Sequence, residues 1–149
     1  MNIHPIKGTA TLVIAGETRT LACDMNCAAV LSELKGDHWN EWLVERFLGR
    51  QVETKDGSPA RSVTSLTPAD SITVLYALLA SDREASGRIE SERSLRRVIG
   101  LADLPDLQLA TIRAVLAGFG LPGEFIEAVV NAADEPRAGA AKGGTGTTF

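Results

Sequence analysis

The chain has 149 residues, 44% of them hydrophobic and 23% charged, which is the make-up of one ordinary globular domain able to bury a real core. Its net charge of −4 argues against a nucleic-acid partner, because phosphate binding needs concentrated Lys and Arg. Two cysteines are too few for a disulfide-stapled secreted scaffold, and no stretch reaches the roughly 20 apolar residues of a membrane helix.

The start of the chain, Met1 to Pro5, lacks the basic region and apolar run of a signal peptide, so the cytoplasm is the expected compartment. Thr9 to Ala15 suits a strand, since Thr, Leu, Val and Ile prefer a pleated, half-buried surface. Gly16-Glu17 fits a two-residue hairpin loop with glycine first, and Arg19 to Cys23 makes the return strand. In that register Ala15 faces Thr18, Leu12 faces Leu21 and Ala10 faces Cys23. One face then holds Ala10, Leu12, Ile14, Leu21 and Cys23, and the other is rich in threonine. A hairpin alone is marginal, so it must lie on helices or pair with another strand.

Asp24 is placed to cap a helix carrying Ala28, Val30, Leu31 and Leu34, with Gly36 as its stop. Asp37 would cap the next helix, with an apolar stripe of Trp39, Trp42, Leu43 and Phe47 that ends at Gly49. From Arg50 to Ser65 the periodicity is lost, and Lys55-Asp56-Gly57-Ser58-Pro59 reads as a turn or exposed loop. Thr67-Pro68-Ala69-Asp70 is a strong helix start, combining a capping hydroxyl, a first-turn proline and an acid near the helix's positive end. That helix should run to about Ser81 and bury Ile72, Leu75, Leu78 and Leu79.

Asp82 to Glu92 is highly charged and contains Gly87, and reads as a solvated link or the frayed start of a helix. Leu95, Val98 and Ile99 give the following helix a small apolar face. Asp103 to Phe119 is a further helix, with Leu109, Ile112, Leu116 and Phe119 at helical spacing, and Gly118 and Gly120 at its end. Pro122 opens a last helix with Phe125, Ile126, Val129 and Val130. From Glu135 the composition turns to Gly, Ala, Thr and Lys, too poor in large apolar groups to offset chain ordering, and a disordered tail is expected. The expected fold is therefore α+β and predominantly helical. An N-terminal hairpin packs on a bundle of four to six helices in a single domain over 1–134, followed by a flexible tail over 135–149.

The residues carry no recognisable chemistry. Cys23 and Cys27 lack the further ligands that a zinc site needs, His4 and His38 form no ligand pair, and the cysteines read best as small buried hydrophobes. No histidine and orienting group are spaced to activate a cysteine nucleophile. Lys142-Gly143-Gly144-Thr145 superficially resembles a phosphate loop but has its glycines on the wrong side of the lysine. Arg83, Arg88, Arg93, Arg96 and Arg97 are interleaved with acids, the pattern of a solvated face; the lesser alternative is a docking surface for an acidic partner. No catalytic, cofactor or metal site is expected. The Trp39, Trp42, Leu43 and Phe47 stripe is mainly core, and any exposed part of it would be the best contact surface.

The stretch Lys7-Gly8-Thr9-Ala10-Thr11-Leu12, Gly16, Arg19 to Asn26, Leu31 and Leu34-Lys35-Gly36 resembles the small tail proteins of gene transfer agents and related siphophages, usually described as tail assembly chaperones. Leu66-Thr67-Pro68-Ala69-Asp70 matches a later helix start of that family. The charged segment from Asp82 to Glu92 and the helices from Asp103 to Ala133 depart from it by making this chain longer. The resemblance implies a non-enzymatic protein that escorts the tape measure protein, and with it the tail tube protein, during tail assembly in the host cytoplasm. It is compatible with a homo-oligomer and with a longer product made by ribosomal frameshifting. The alternative is a structural virion component, such as a tail-tube or head–tail connector protein. Under the chaperone reading, Thr11 and Thr20 on the outer face of the hairpin join the Trp stripe as candidate partner contacts, through strand addition at a free edge.

Overall fold

Ala15 and Gly16 set the geometry of the first hairpin. Both adopt positive φ, 51° and 79°, the signature of a type I′ turn, whose twist matches that of the flanking strands. The strands are β1 (Thr9–Ile14) and β2 (Glu17–Ala22). They pair as Ile14 with Glu17, Leu12 with Arg19 and Ala10 with Leu21. The turn thus sits one residue earlier than glycine-first chemistry predicts, and Leu12 does not face Leu21. The expected faces survive, because moving the turn by one residue shifts the pairing by two positions and keeps the alternation in phase. Ile14 and Leu21 point into the core, while Thr11, Val13, Thr18 and Thr20 are exposed. Arg19 also points inward, and only 3% of its surface is exposed.

The structure is a computed structural model that describes residues 9–47, 50–53, 59–62 and 66–131. The expected stop at Gly49, the 55–58 part of the expected turn and the tail from Glu135, with Lys142-Gly143-Gly144-Thr145, lie outside them. After β2, Asp24 caps α1 (Met25–Lys35) by accepting a hydrogen bond from the Cys27 amide at 3.0 Å. Gly36 ends α1 at a φ of 77°, and a 3₁₀ turn over Gly36–His38 leads into α2 (Trp39–Phe47). Asp37 is therefore inside that turn and not at a cap ahead of it.

The stretch read as aperiodic holds a second antiparallel hairpin, β3 (Arg50–Glu53) with β4 (Pro59–Ser62). Four-residue strands rich in Arg, Gln, Glu and Ser are too short and too polar to show an alternating pattern.

Thr67 caps α3 (Pro68–Leu78) through its hydroxyl, which accepts from the Asp70 amide at 3.1 Å, with Pro68 in the first turn. The helix breaks at Leu79 and resumes as α4 (Ala80–Ser86), which ends at Gly87 in the left-handed region. The highly charged link is thus partly helical. Ser91 caps α5 (Glu92–Val98), and a 3₁₀ turn over Leu101–Asp103 leads into α6 (Leu104–Gly118). A last helix, α7, spans 123–131.

The main core joins Ile14 and Leu21 of the hairpin to Leu31, Leu43, Leu75, Leu78, Leu95, Leu107 and Val115. The hairpin lies across α6, with α4 beside β2. A smaller cluster of Leu116, Ile126 and Val130 seats α7 on the end of α6. The protein is thus α+β and predominantly helical, with its N-terminal hairpin packed on the helices.

Candidate functional site

The tryptophan stripe divides along the helix. Leu43 and Phe47 are core residues, which removes both from any contact surface in this fold. Trp39 and Trp42 are half-buried against the same core. The Trp42 ring is also occupied by cations: Lys35 Nζ lies 4.6 Å from its centroid and the Arg46 guanidinium 4.3 Å from it. Arg46 donates as well to Asp70 at 3.0 Å and to the Trp42 carbonyl at 3.2 Å, so the aromatic is part of a tie between α2 and α3. It is not an open aromatic platform.

Thr11 and Thr20 face each other across the hairpin. In an antiparallel pair closed by a two-residue turn, the pair flanking the turn exchanges hydrogen bonds and the pattern then alternates. Ile14–Glu17, Leu12–Arg19 and Ala10–Leu21 are the bonded pairs, so Thr11, Val13, Thr18 and Thr20 send their amides outward to the sheet edges. The two edges differ. On the β2 side the Thr20 amide donates to Asp82 Oδ1 at 3.3 Å, which places α4 over that edge. On the β1 side, among the described residues, Thr11 and Val13 make no backbone hydrogen bond beyond the hairpin.

A cleft of about 530 Å³ opens beside β1 and its turn. Besides β1 and its turn, it is lined by Val98, Ile99, Leu107, Leu109 and Ala110 and by the acids Asp103 and Asp106. Val13 is 64% exposed, and Val98 and Leu101 add apolar surface close by. The Thr11 and Val13 amides, which meet no backbone acceptor among the described residues, and the apolar cleft beside the strand are the elements needed to take an extended peptide as a third strand. Of the residues proposed from sequence, Thr11 lies at this place, Thr20 on the opposite, covered edge, and Trp39 and Trp42 on α2.

The charged segment is organised around Arg19, which sequence reasoning left unassigned. Its guanidinium gives two hydrogen bonds to Glu90, at 2.9 and 3.0 Å, and a third from Nε to Asp82. Arg83 also reaches Glu90 at 3.2 Å and stacks over Tyr76 at 3.9 Å. The Glu90 hydrogen bonds hold Arg19 protonated even more firmly than usual, against the opposing effect of burial. Burial pushes Glu90 up, but hydrogen bonds and charge from Arg19 and Arg83 outweigh it and leave the carboxyl below its ordinary 4.5. Asp82, Arg83 and Glu90 are thus not a plain solvated face; they hold the hairpin to α4 and the turn before α5. Parity along β2 was the available signal, since residue 19 shares a face with Leu21.

Among the described residues no group of three or more His, Cys, Asp or Glu side chains could hold a metal ion, and His38 is exposed beside Glu41. No described helix is long and apolar enough to cross a membrane. The chain matches no protein-family model, no curated protein and no solved structure.

Proposed function

We propose that this chain is a non-enzymatic tail assembly chaperone of the phage or gene-transfer-agent kind, which binds the tape measure protein while the tail tube assembles. The sequence from Lys7 to Gly36 supports the family reading, and the open edge of β1 beside its cleft carries the binding reading. A long partner awaiting its tube exposes apolar segments that would otherwise aggregate. The β1 edge offers such a segment main-chain hydrogen bonds, and the cleft takes its alternate side chains. In this reading Thr11 and Val13 supply the amides, and Leu107, Ala110 and Ile99 the apolar wall.

Co-expression with the tape measure protein of a neighbouring gene tests it. The expected result is a soluble complex from which the finished tail later excludes this chain. A partner that stays insoluble and fails to co-purify overturns the proposal. Stable rings of the purified chain, or its presence in finished particles, would point instead to a tail-tube or connector component. Thr11→Pro locates the contact: it removes an outward amide without touching the ladder, so the monomer should stay folded. Loss of one such hydrogen bond should weaken association by about tenfold.

A further inference from the structure

The charges between Asp82 and Arg97 alternate in sequence but separate in the fold. Their acids turn inward. Asp82 and Glu90 close on Arg19, and Glu90 also holds Arg83. Glu92 accepts a hydrogen bond at 3.0 Å from the hydroxyl of Thr73, a buried residue of α3. Arg88 pairs with Glu17 of β2. Arg93, Arg96 and Arg97 are left over. All three are exposed, and among the described residues none of their guanidinium groups has an ion pair, a hydrogen bond or a ring contact. Glu92 stands one turn before Arg96, where an acid ordinarily pairs with it, but its recorded partner is Thr73. The three arginines lie at i, i+3 and i+4 on α5, on one arc of the helix opposite the buried Leu95. Apolar groups flank them in the chain. Ile89, just before α5, is wholly exposed, while Val98 at its end is half exposed and Leu101 after it is 82% exposed.

We propose that the outward face of α5 is a docking surface for an acidic amphipathic helix of a partner protein. Carboxylates at helical spacing on that partner meet Arg93, Arg96 and Arg97, and its apolar side chains cover Ile89, Val98 and Leu101. Each guanidinium presents a planar fork of donors that fits a carboxylate in two places. Three such forks on one arc match acids at i, i+3 and i+4 on a facing helix. Arginine beside exposed apolar groups is also the composition that protein interfaces favour. The same observations disfavour other polyanions. The chain as a whole carries −4, so a nucleic acid is repelled beyond this face, and a phosphate backbone offers nothing to three exposed apolar side chains. A lipid surface requires a broad apolar helix face, and the apolar side of α5 is turned into the core through Leu95. The surface differs in chemistry from the β1 edge, which would bind main chain, and it does not depend on that edge.

The test titrates the whole chain with a synthetic helical peptide that carries glutamates at i, i+3 and i+4 with leucines beside them. Amide shifts in nuclear magnetic resonance report both the affinity and the place of binding. A second peptide has glutamine in place of every glutamate, and duplex DNA and phosphatidylserine vesicles are the rival polyanions. The expected result is shifts centred on α5 with the glutamate peptide and binding about tenfold weaker with the glutamine one. That binding should weaken as salt is raised, because the contacts are exposed. Arg93→Gln, Arg96→Gln and Arg97→Gln together should cost about tenfold as well. These side chains hold nothing else in the fold, so the variant should melt with the parent. Thr11→Pro, which alters the β1 edge, should bind the peptide as the parent does. No binding, equal binding of the two peptides, or an unchanged affinity in the triple variant would each overturn the proposal. So would loss of binding in Thr11→Pro, or tighter binding of the DNA or the vesicles than of the glutamate peptide.

Discussion

Arg19 is where a single side chain decides most. An arginine with 3% exposure cannot shed its charge, so its desolvation must be matched by carboxylates, which Glu90 and Asp82 provide. Removing it takes the counter-charge from Asp82 and leaves Glu90 with Arg83 alone. Arg19→Ala should therefore cost about 3–5 kcal/mol, a fall of about 10 °C in Tm. Adding Glu90→Gln should recover part of that loss, because a buried carboxylate left with only one of its two arginines is gone. Breaking the rim pair of Arg88 with Glu17, both partners much more exposed, should cost under about 1 kcal/mol. Equal effects from the two pairs would show that Arg19 is better solvated than its burial indicates. The inward position of Arg19 was legible, since it shares its parity with Leu21. Its partners were not, because they lie 63 and 71 residues away in sequence and no local spacing connects them.

Among elements, the first hairpin is the clearest meeting of local rules and their limits. Asp24, Gly36, Thr67 and Pro68 act as their chemistry predicts, because caps depend only on neighbours within one turn. The hairpin's faces were equally legible from alternation. Its register was not: Ala15 takes the left-handed conformation although it is not glycine, at a strain of about 1–2 kcal/mol. The type I′ turn and the inward packing of Leu12, Ile14 and Arg19 together outweigh that strain. Ala15→Asn creates the Asn-Gly sequence this turn prefers. It should stabilise the chain by about 1 kcal/mol with the fold unchanged, measurable as a higher denaturation midpoint at constant slope. A loss of stability would mean that the turn is not type I′. The second hairpin escaped notice for the opposite reason, since its strands are only four residues each. The strand edge and the cleft beside β1 were legible only in part. Thr11 could be placed on the outer face, but which edge stays open depends on where Asp82 lands, and that is set by the helix packing.

At the scale of the whole molecule, the hairpin is held to the helices in two ways that respond differently to pH. Ile14 and Leu21 join a core that acid does not touch. The node of Arg19, Glu90, Asp82 and Arg83 depends on ionised carboxylates. Folded Glu90 holds its proton less tightly than an unfolded glutamate, whose ordinary value is 4.5. Acid therefore protonates the unfolded state first. The stability that Glu90 contributes is complete above that value and drains away as pH falls through its lower folded value. Thermal melts should show a Tm that is flat near neutrality and then falls on the acid side. Glu90→Gln should lower the neutral Tm and flatten the acid slope, because the titrating group is gone. The loss should also be uneven in space. With the node discharged, amides of β2 and α4 should exchange with solvent before those of α3 and α6, whose contacts are apolar. An acid slope in Glu90→Gln as steep as in the parent, or exchange rising evenly over all elements, would place the acid-labile contacts elsewhere. The β1 edge proposed to bind a partner lies on the same hairpin. A chaperone that binds through β1 needs the strand held firmly from behind, and the Arg19 node supplies that support from β2. If the chain binds its partner through β1 as proposed, acid below about 4.5 should weaken that binding before it unfolds the core, and Glu90→Gln should weaken it already at neutral pH.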